Sequence, residues 1–277
     1  MSKPGFTFRY EMRHFSLLAA AFQMIFGLLA TTPPSSATAA ESTSESAAVA
    51  DWAIALHGGA GRRSREMSSQ ERHALGQSLL DALASGQDIL ASGGAALDAV
   101  EAVVIRLEND PQFNAGKGAV FTRAGEHELD ASMMDGATLR GGAVAGVKYQ
   151  KNPITAARLV MEHTRHLLLA GDSADRFAAQ HGGQRVEQQY FYTARRFNEL
   201  QSALTKAGLE LLPSPAYPLN DSSSQLPGST SIQNIGGTVG CVARDVHGNL
   251  AAATSTGGPS SSTGPSQPKT WSSSSHP

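Results

Sequence analysis

Gly236-Gly237-Thr238-Val239-Gly240 is the stretch on which the fold turns. By itself it reads as a turn entering a strand. The residues after it sharpen the reading. Val239, Cys241 and Ala243 alternate with Thr238, Gly240, Val242 and Arg244, which is the two-residue period of a strand. Asp245-Val246-His247-Gly248-Asn249 has turn chemistry, and Leu250 to Thr256 forms a second strand. A hairpin centred on His247 sets Thr238 opposite Thr256. Opposed residues of an antiparallel pair lie roughly 4.5–5.5 Å apart at Cβ, within reach of a contact between two hydroxyls. A bulge at the turn would shift that register.

A threonine inside a chain is a poor nucleophile because no base stands beside its hydroxyl. Cutting the Gly237–Thr238 bond changes this. Thr238 then carries a free α-amino group, with an ordinary pKa of about 7.7–8.0, that can take the hydroxyl proton near neutral pH. Gly237 suits the cut, since a residue without Cβ tolerates unusual backbone angles and leaves its carbonyl open to attack.

Working outward, the 277-residue chain is long enough for one sizeable core. A net charge of −2 gives no reason to expect nucleic acid or an anionic membrane as partner. Cys241 is the one cysteine, so no internal disulfide can form. It falls on the strand face opposite Thr238 and reads as a small core residue. Lys3, Arg9 and Arg13 precede an apolar run from Phe15 to Ala30, and Ala37-Thr38-Ala39 offers a cleavage site. Residues 1–40 are therefore expected to be a signal peptide, with Met12 as an alternative start, and residues 41–50 a linker. Secretion or export to a bacterial periplasm is therefore expected, with no membrane association once the signal is removed.

The domain proper is expected over residues 51–258. Trp52 to Leu56 predicts a strand running into His57-Gly58-Gly59-Ala60-Gly61. That loop lacks the endings of a P-loop or a dinucleotide fingerprint. His57 is expected to be a hydrogen-bonded loop histidine, with catalysis as the less favoured role. Helices are predicted from about 70 to 90, capped by Ser68 or Ser69, and from about 96 to 108, with Leu97, Val100, Val104 and Leu107 as the apolar stripe of the second. Strands are predicted at 119–122, 128–134 and 142–149. Further helices open at Asn152-Pro153 and span about 173 to 180. Asp130 and Asp135 are placed at strand ends and turns for structural reasons rather than as an acid/base pair. His163, His166 and His181 lack a recognised metal spacing.

The order of these motifs carries a resemblance. His57-Gly58-Gly59-Ala60-Gly61, Leu97-Asp98-Ala99-Val100-Glu101-Ala102, Phe113-Asn114-Ala115-Gly116-Lys117-Gly118, Glu128-Leu129-Asp130-Ala131-Ser132 and Met134-Asp135-Gly136 follow one another. Gln189-Tyr190-Phe191-Tyr192-Thr193, Gly237-Thr238-Val239-Gly240 and Ala253-Thr254-Ser255-Thr256-Gly257-Gly258 complete the series. The chain resembles the isoaspartyl peptidase/L-asparaginase (plant-type asparaginase) family of N-terminal-nucleophile hydrolases. The resemblance implies an α+β fold, a four-layer αββα sandwich, made as a precursor that cuts itself before the threonine. It implies Thr238 as nucleophile, Thr256 as its hydroxyl partner and Asn114 as an orienting group. Residues from about Asn198 to Ile235 match the variable, mobile loop before the cut. Main-chain carbonyls of Leu107, Glu108, Asp110, Phe113, Ala115 and Lys117 would hold a structural sodium ion, with no cofactor needed for catalysis. The implied substrates are small molecules or dipeptides carrying a β-aspartyl amide, and the implied assembly is a homodimer of αβ units.

One segment departs from that pattern. After Gly258 the family continues through Met-Thr-Asn-Lys and Gly-Arg-Val-Gly-Asp, whose Arg and Asp clamp the substrate, and through a Thr-Gly pair of the oxyanion hole. Residues 259–277 are instead Ser/Pro/Gly-rich, and a disordered low-complexity tail is expected there. The sandwich is accordingly expected to be incomplete at its C-terminus. The alternative function is a truncated, catalytically inactive family member, for which a frameshift near Gly258 is one origin. A glycosylasparaginase is a second alternative, less well matched by the His57–Gly61 loop.

Overall fold

Ser68 begins the first helix of the fold, and it does so with two reciprocal hydrogen bonds. Its Oγ accepts the Glu71 N–H at 3.2 Å, while Glu71 Oε2 accepts the Ser68 N–H at 2.7 Å. The computed structural model describes residues 51–60, 67–213 and 237–258. The expected signal peptide, linker and C-terminal tail lie outside the described residues, as does most of the expected loop before Gly237. The described residues all fall in one compact unit.

Six strands and five helices follow in the order β1 (Ala53–His57), α1 (Ser69–Ala91), α2 (Ala96–Asn109), β2 (Leu129–Asp135), β3 (Arg140–Val147), α3 (Pro153–His163), β4 (Leu168–Ala170), α4 (Gly171–Gln180), α5 (Ala194–Lys206), β5 (Val239–Arg244) and β6 (Leu250–Thr256). The strands form one sheet in the order β1-β5-β6-β2-β3-β4, antiparallel throughout except for the β3–β4 pair. Strands β5 and β6, last in the described chain, sit in its middle, so the Thr238 hairpin is flanked by earlier strands on both sides.

Helices α1 to α4 line one face. α2 packs on β5 and β6, α3 on β2 and β3, and α1 on β1 and α2. Ala99, Val100, Val103, Val104 and Leu107 of α2 are fully buried between α1 and the sheet. Gly86 lets the two helices approach, because a Cβ there would stand 2.5 Å from Ile54 Cδ1 and 2.7 Å from Val103 Cγ2. From the strands, Val239, Cys241, Ala243, Ala251, Ala253, Ala131, Met133 and Val144 point into this core. Two-residue alternation sends Val242, Thr254, Ala252 and Met134 to the opposite face, which is exposed.

Two layers, one helical and one sheet, are thus what the described residues form. The four-layer sandwich is not assembled among them, because no second sheet covers the outer face. Two further expectations are corrected. Residues 119–122 are not a strand: the Val120 N–H is taken by Asn114 Oδ1 at 3.0 Å and the Thr122 N–H by Glu126 O at 2.7 Å, which closes a turn. The segment expected to be loop from Asn198 begins as helix α5, capped by Thr193 and buried through Arg196, Phe197 and Leu204. Among the described residues no helix is long and apolar enough to cross a membrane.

Candidate active site

The β5–β6 register runs from Val239↔Ser255 to Arg244↔Leu250, and carried one residue further it sets Thr238 opposite Thr256, as expected from the sequence. The turn fixes that register. Asp245 N–H bonds Asn249 O at 3.0 Å, Gly248 N–H bonds Asp245 O at 2.9 Å, and Gly248 has a φ of 83°, a three-residue loop ending in a left-handed glycine. The Asp245 carboxylate accepts the N–H groups of His247 and Asn249 and, across the sheet, that of Ala96 at 3.3 Å, the start of α2. Burial opposes its charge, but these donors hold its carboxyl below the usual range.

Gly237, before the threonine, is pressed against the glycine loop after β1. Gly59 has a φ of 101°, and a Cβ on it would stand 2.7 Å from the Gly237 carbonyl oxygen; a Cβ on Gly237 would collide with the Ala60 backbone. Both positions need glycine. His57 is the last residue of β1, paired with Gly240. Its ring lies over that glycine, whose Cβ would be 2.5 Å from His57 Nε2. His57, expected in the loop, is instead the end of strand β1, and its ring lies on the face of the sheet that carries Thr238.

Asn114 is 2% exposed. Its Nδ2 donates to Gly258 O at 2.8 Å, its Oδ1 accepts the Val120 N–H, and its main-chain oxygen accepts the Gly257 N–H at 3.0 Å. These bonds fasten the chain just beyond Thr256 to the loop after α2. Thr256 Oγ1 accepts the Gly258 N–H at 3.2 Å, and on the adjacent strand β2 its register partner is Asp130.

The loop after α2 crowds carbonyls together. A Cβ on Gly116 would collide with Glu108 O, and one on Gly118 with Phe113 O. Leu107 O, Asp110 O and Ala115 O each accept an N–H only at 3.3 Å, long for such a bond. These main-chain oxygens are the hard, uncharged donors that the loop offers. Among the described residues no cluster of three or more His, Cys, Asp or Glu could hold a metal. His163 and His181 have ring centroids 5.2 Å apart, and His181 Nδ1 bonds Phe177 O.

Asp130 and Asp135 serve local structure, as their positions suggested. Asp130 accepts the Gly146 N–H at 2.7 Å, and Asp135 accepts Ala137 N–H and the Thr138 hydroxyl. Cys241 is buried, and burial pushes its thiol up to about 12, which removes it as a nucleophile near neutral pH.

Sequence reasoning missed three side chains. Arg195 Nη2 donates to Pro111 O at 2.8 Å and Gln112 O at 3.2 Å, and Arg196 Nε to Gly118 O at 2.7 Å, so α5 grips the Asn114 loop. Glu108 is fully buried beneath the hairpin, its carboxyl pushed up to about 8 by burial against the pull of its hydrogen bonds. A helical stripe of Phe197, Leu200 and Leu204 was the available signal for α5; nothing local signalled Glu108.

A family model described as asparaginase matches residues 50–263. The isoaspartyl peptidase of Salmonella typhimurium is 47% identical over 206 residues, covering 74% of this chain and 62% of that protein. The isoaspartyl peptidase of Escherichia coli is 47% identical over 206 residues, with 74% and 60% covered. The human isoaspartyl peptidase/L-asparaginase is 39% identical over 205 residues, again with 74% and 60% covered. The chain thus spans about 60% of the length of these relatives. With the match extending over its glycine loop, its Asn114 loop and its threonine hairpin alike, the chain belongs to the asparaginase family.

Proposed function

We propose that this chain is a threonine hydrolase of β-aspartyl amide bonds, acting on isoaspartyl dipeptides, L-asparagine or both, and that it liberates its own nucleophile. The observation that carries this reading is the Gly237–Thr238 junction: Gly237 is wedged against Gly59 and Ala60, with Thr238 in register with Thr256. In the first stage Thr238 Oγ attacks the Gly237 carbonyl and the peptide nitrogen leaves, forming an ester. Water then hydrolyses the ester, leaving a Gly237 carboxylate and a free Thr238 α-amine. In the second stage that amine accepts the hydroxyl proton, and Oγ attacks the β-carbonyl of the substrate. Ammonia, or the amine of the residue that followed the β-aspartyl group, departs with a proton. Water releases aspartate from the acyl-enzyme. The Thr256 hydroxyl lies on the neighbouring strand to polarise these steps, and Asn114 holds the strand end that carries it.

The same reading includes a sodium ion on the carbonyls of Leu107, Glu108, Asp110, Phe113, Ala115 and Lys117. It would supply no reaction step and would stiffen the loop bearing Asn114. A homodimer of αβ units and export through the N-terminal segment complete the proposal.

The inactive reading has one observation in its favour. On the face carrying Thr238, Met134, Val242 and Leu250 are 47%, 54% and 59% exposed, uncovered among the described residues. Release of aspartate from a β-aspartyl dipeptide and from asparagine distinguishes the two. Turnover that disappears in Thr238→Ala supports the hydrolase; no turnover by the purified, folded chain supports the inactive reading.

A further inference from the structure

Glu108 lies in the last turn of α2, where a charged side chain would ordinarily reach water, yet it is 0% exposed. Its Oε1 accepts the Ser255 hydroxyl at 2.7 Å and the Ile154 N–H at 2.9 Å, and its Oε2 accepts Asn152 Nδ2 at 3.0 Å. One side chain therefore joins the end of α2, the start of α3 and the C-terminal end of β6. Its main-chain carbonyl abuts Gly116, in the loop that carries Asn114.

Ser255 is the informative partner. It stands between Thr254 and Thr256 and pairs with Val239, the residue after Thr238. Alternation turns the Ser255 hydroxyl to the helix layer while Thr238 and Thr256 face the open side. An apolar pair could join α2 to β6 at lower desolvation cost, since a buried carboxyl is expensive even when bonded. What an apolar pair lacks is direction. A hydrogen-bonded network fixes both the register and the rotation of the strand. We propose that Glu108, acting through Ser255, is a positioning residue that holds the Thr238–Thr256 pair in its reactive alignment. The proposal rests on the threonine-nucleophile reading.

The test follows Gly237–Thr238 cleavage by intact mass in the full chain and in Ser255→Ala, Glu108→Met, Glu108→Gln and the Ser255→Ala/Glu108→Met double variant. Thermal midpoints and hydrogen exchange of peptides from β5, β6 and α4 are measured alongside. A misplacement of about 1 Å costs roughly 100-fold in rate, so each of the two disruptive single changes should slow cleavage about 10–100-fold. The double variant should be no slower than the worse single, because both changes break one contact. Glu108→Gln keeps an acceptor oxygen for Ser255 and should recover most of the loss. Exchange should rise in β5 and β6 and not in α4. Single variants that cleave at the parental rate, losses that multiply in the double, or losses that follow the thermal midpoint with exchange raised equally in α4 would overturn it. Should Glu108→Met fail to fold, Ser255→Ala decides alone. Should the parental chain stay uncut, the nucleophile reading fails, and exchange still judges the positioning. A rise confined to β5 and β6 in Ser255→Ala supports it; a uniform rise or none overturns it.

Discussion

Replacing His127 with phenylalanine should flatten the acid side of the stability curve. His127 is 1% exposed and lies among Phe121, at 4.1 Å between ring centroids, and Phe191, at 5.9 Å. Its Nδ1 lies 3.2 Å from Val120 O, and its Nε2 has no hydrogen-bond partner. A proton on Nε2 would put a charge inside this apolar enclosure. Burial accordingly pushes the imidazole from 6.5 down to about 4, and the Arg196 charge adds to it against the pull of the Val120 carbonyl. Above pH 6.5 the ring is neutral in both folded and unfolded chains, and its full contribution is present. Between 6.5 and about 4 only the unfolded chain takes the proton, so stability falls with pH; below that both are protonated and the loss is complete. At about 1.4 kcal/mol per tenfold change, the loss is on the order of 3 kcal/mol. His127→Phe leaves the Val120 carbonyl without this partner, a cost of roughly 1 kcal/mol that does not depend on pH. Urea unfolding from neutral pH to pH 4 should show the variant curve converging on the parent, then crossing it. Parallel curves would refute the account of His127 as a neutral buried ring.

Gly59→Ala places a Cβ against the Gly237 carbonyl at a φ of 101°, so it should cost about 1–3 kcal/mol of stability and slow self-cleavage severalfold or more, read by a mass time course. Asp245→Ala removes the acceptor for the Ala96, His247 and Asn249 N–H groups and should lower stability by about 1–2 kcal/mol in chemical denaturation, with exchange rising first at the start of α2. Cys241, with its thiol buried and raised to about 12, should resist thiol reagents in the folded chain and react once urea opens it; Cys241→Ala should leave self-cleavage intact.

The hairpin was legible because every level of the sequence agreed on it. Alternation from Val239, the Asp245–Asn249 turn and the small residues from Ala251 to Ala253 all require the same register. The start of helix α1 was legible too, with the cap left between Ser68 and Ser69; the reciprocal bonds with Glu71 decide for Ser68. The error at 119–122 came from treating Ala-Val-Phe-Thr alternation as pairing; the Val120 N–H bonds a side chain, Asn114, and not a strand. The polar composition of α5 hid its short apolar stripe, and its buried Arg196 reads from sequence as a surface residue. Glu108 was the least legible of all. Its partner Ser255 is 147 residues away, and a glutamate at a helix end carries no local sign that it will be enclosed. The family resemblance points to its carbonyl and not to its side chain.

The central claim is that this chain frees its own threonine nucleophile. Its most direct test is the intact mass of the purified chain over days at neutral pH, beside Thr238→Ala. The account predicts two fragments that part between Gly237 and Thr238, appearing in the parent and never in the variant. A parent that keeps a single uncut mass, indistinguishable in behaviour from Thr238→Ala, would contradict it.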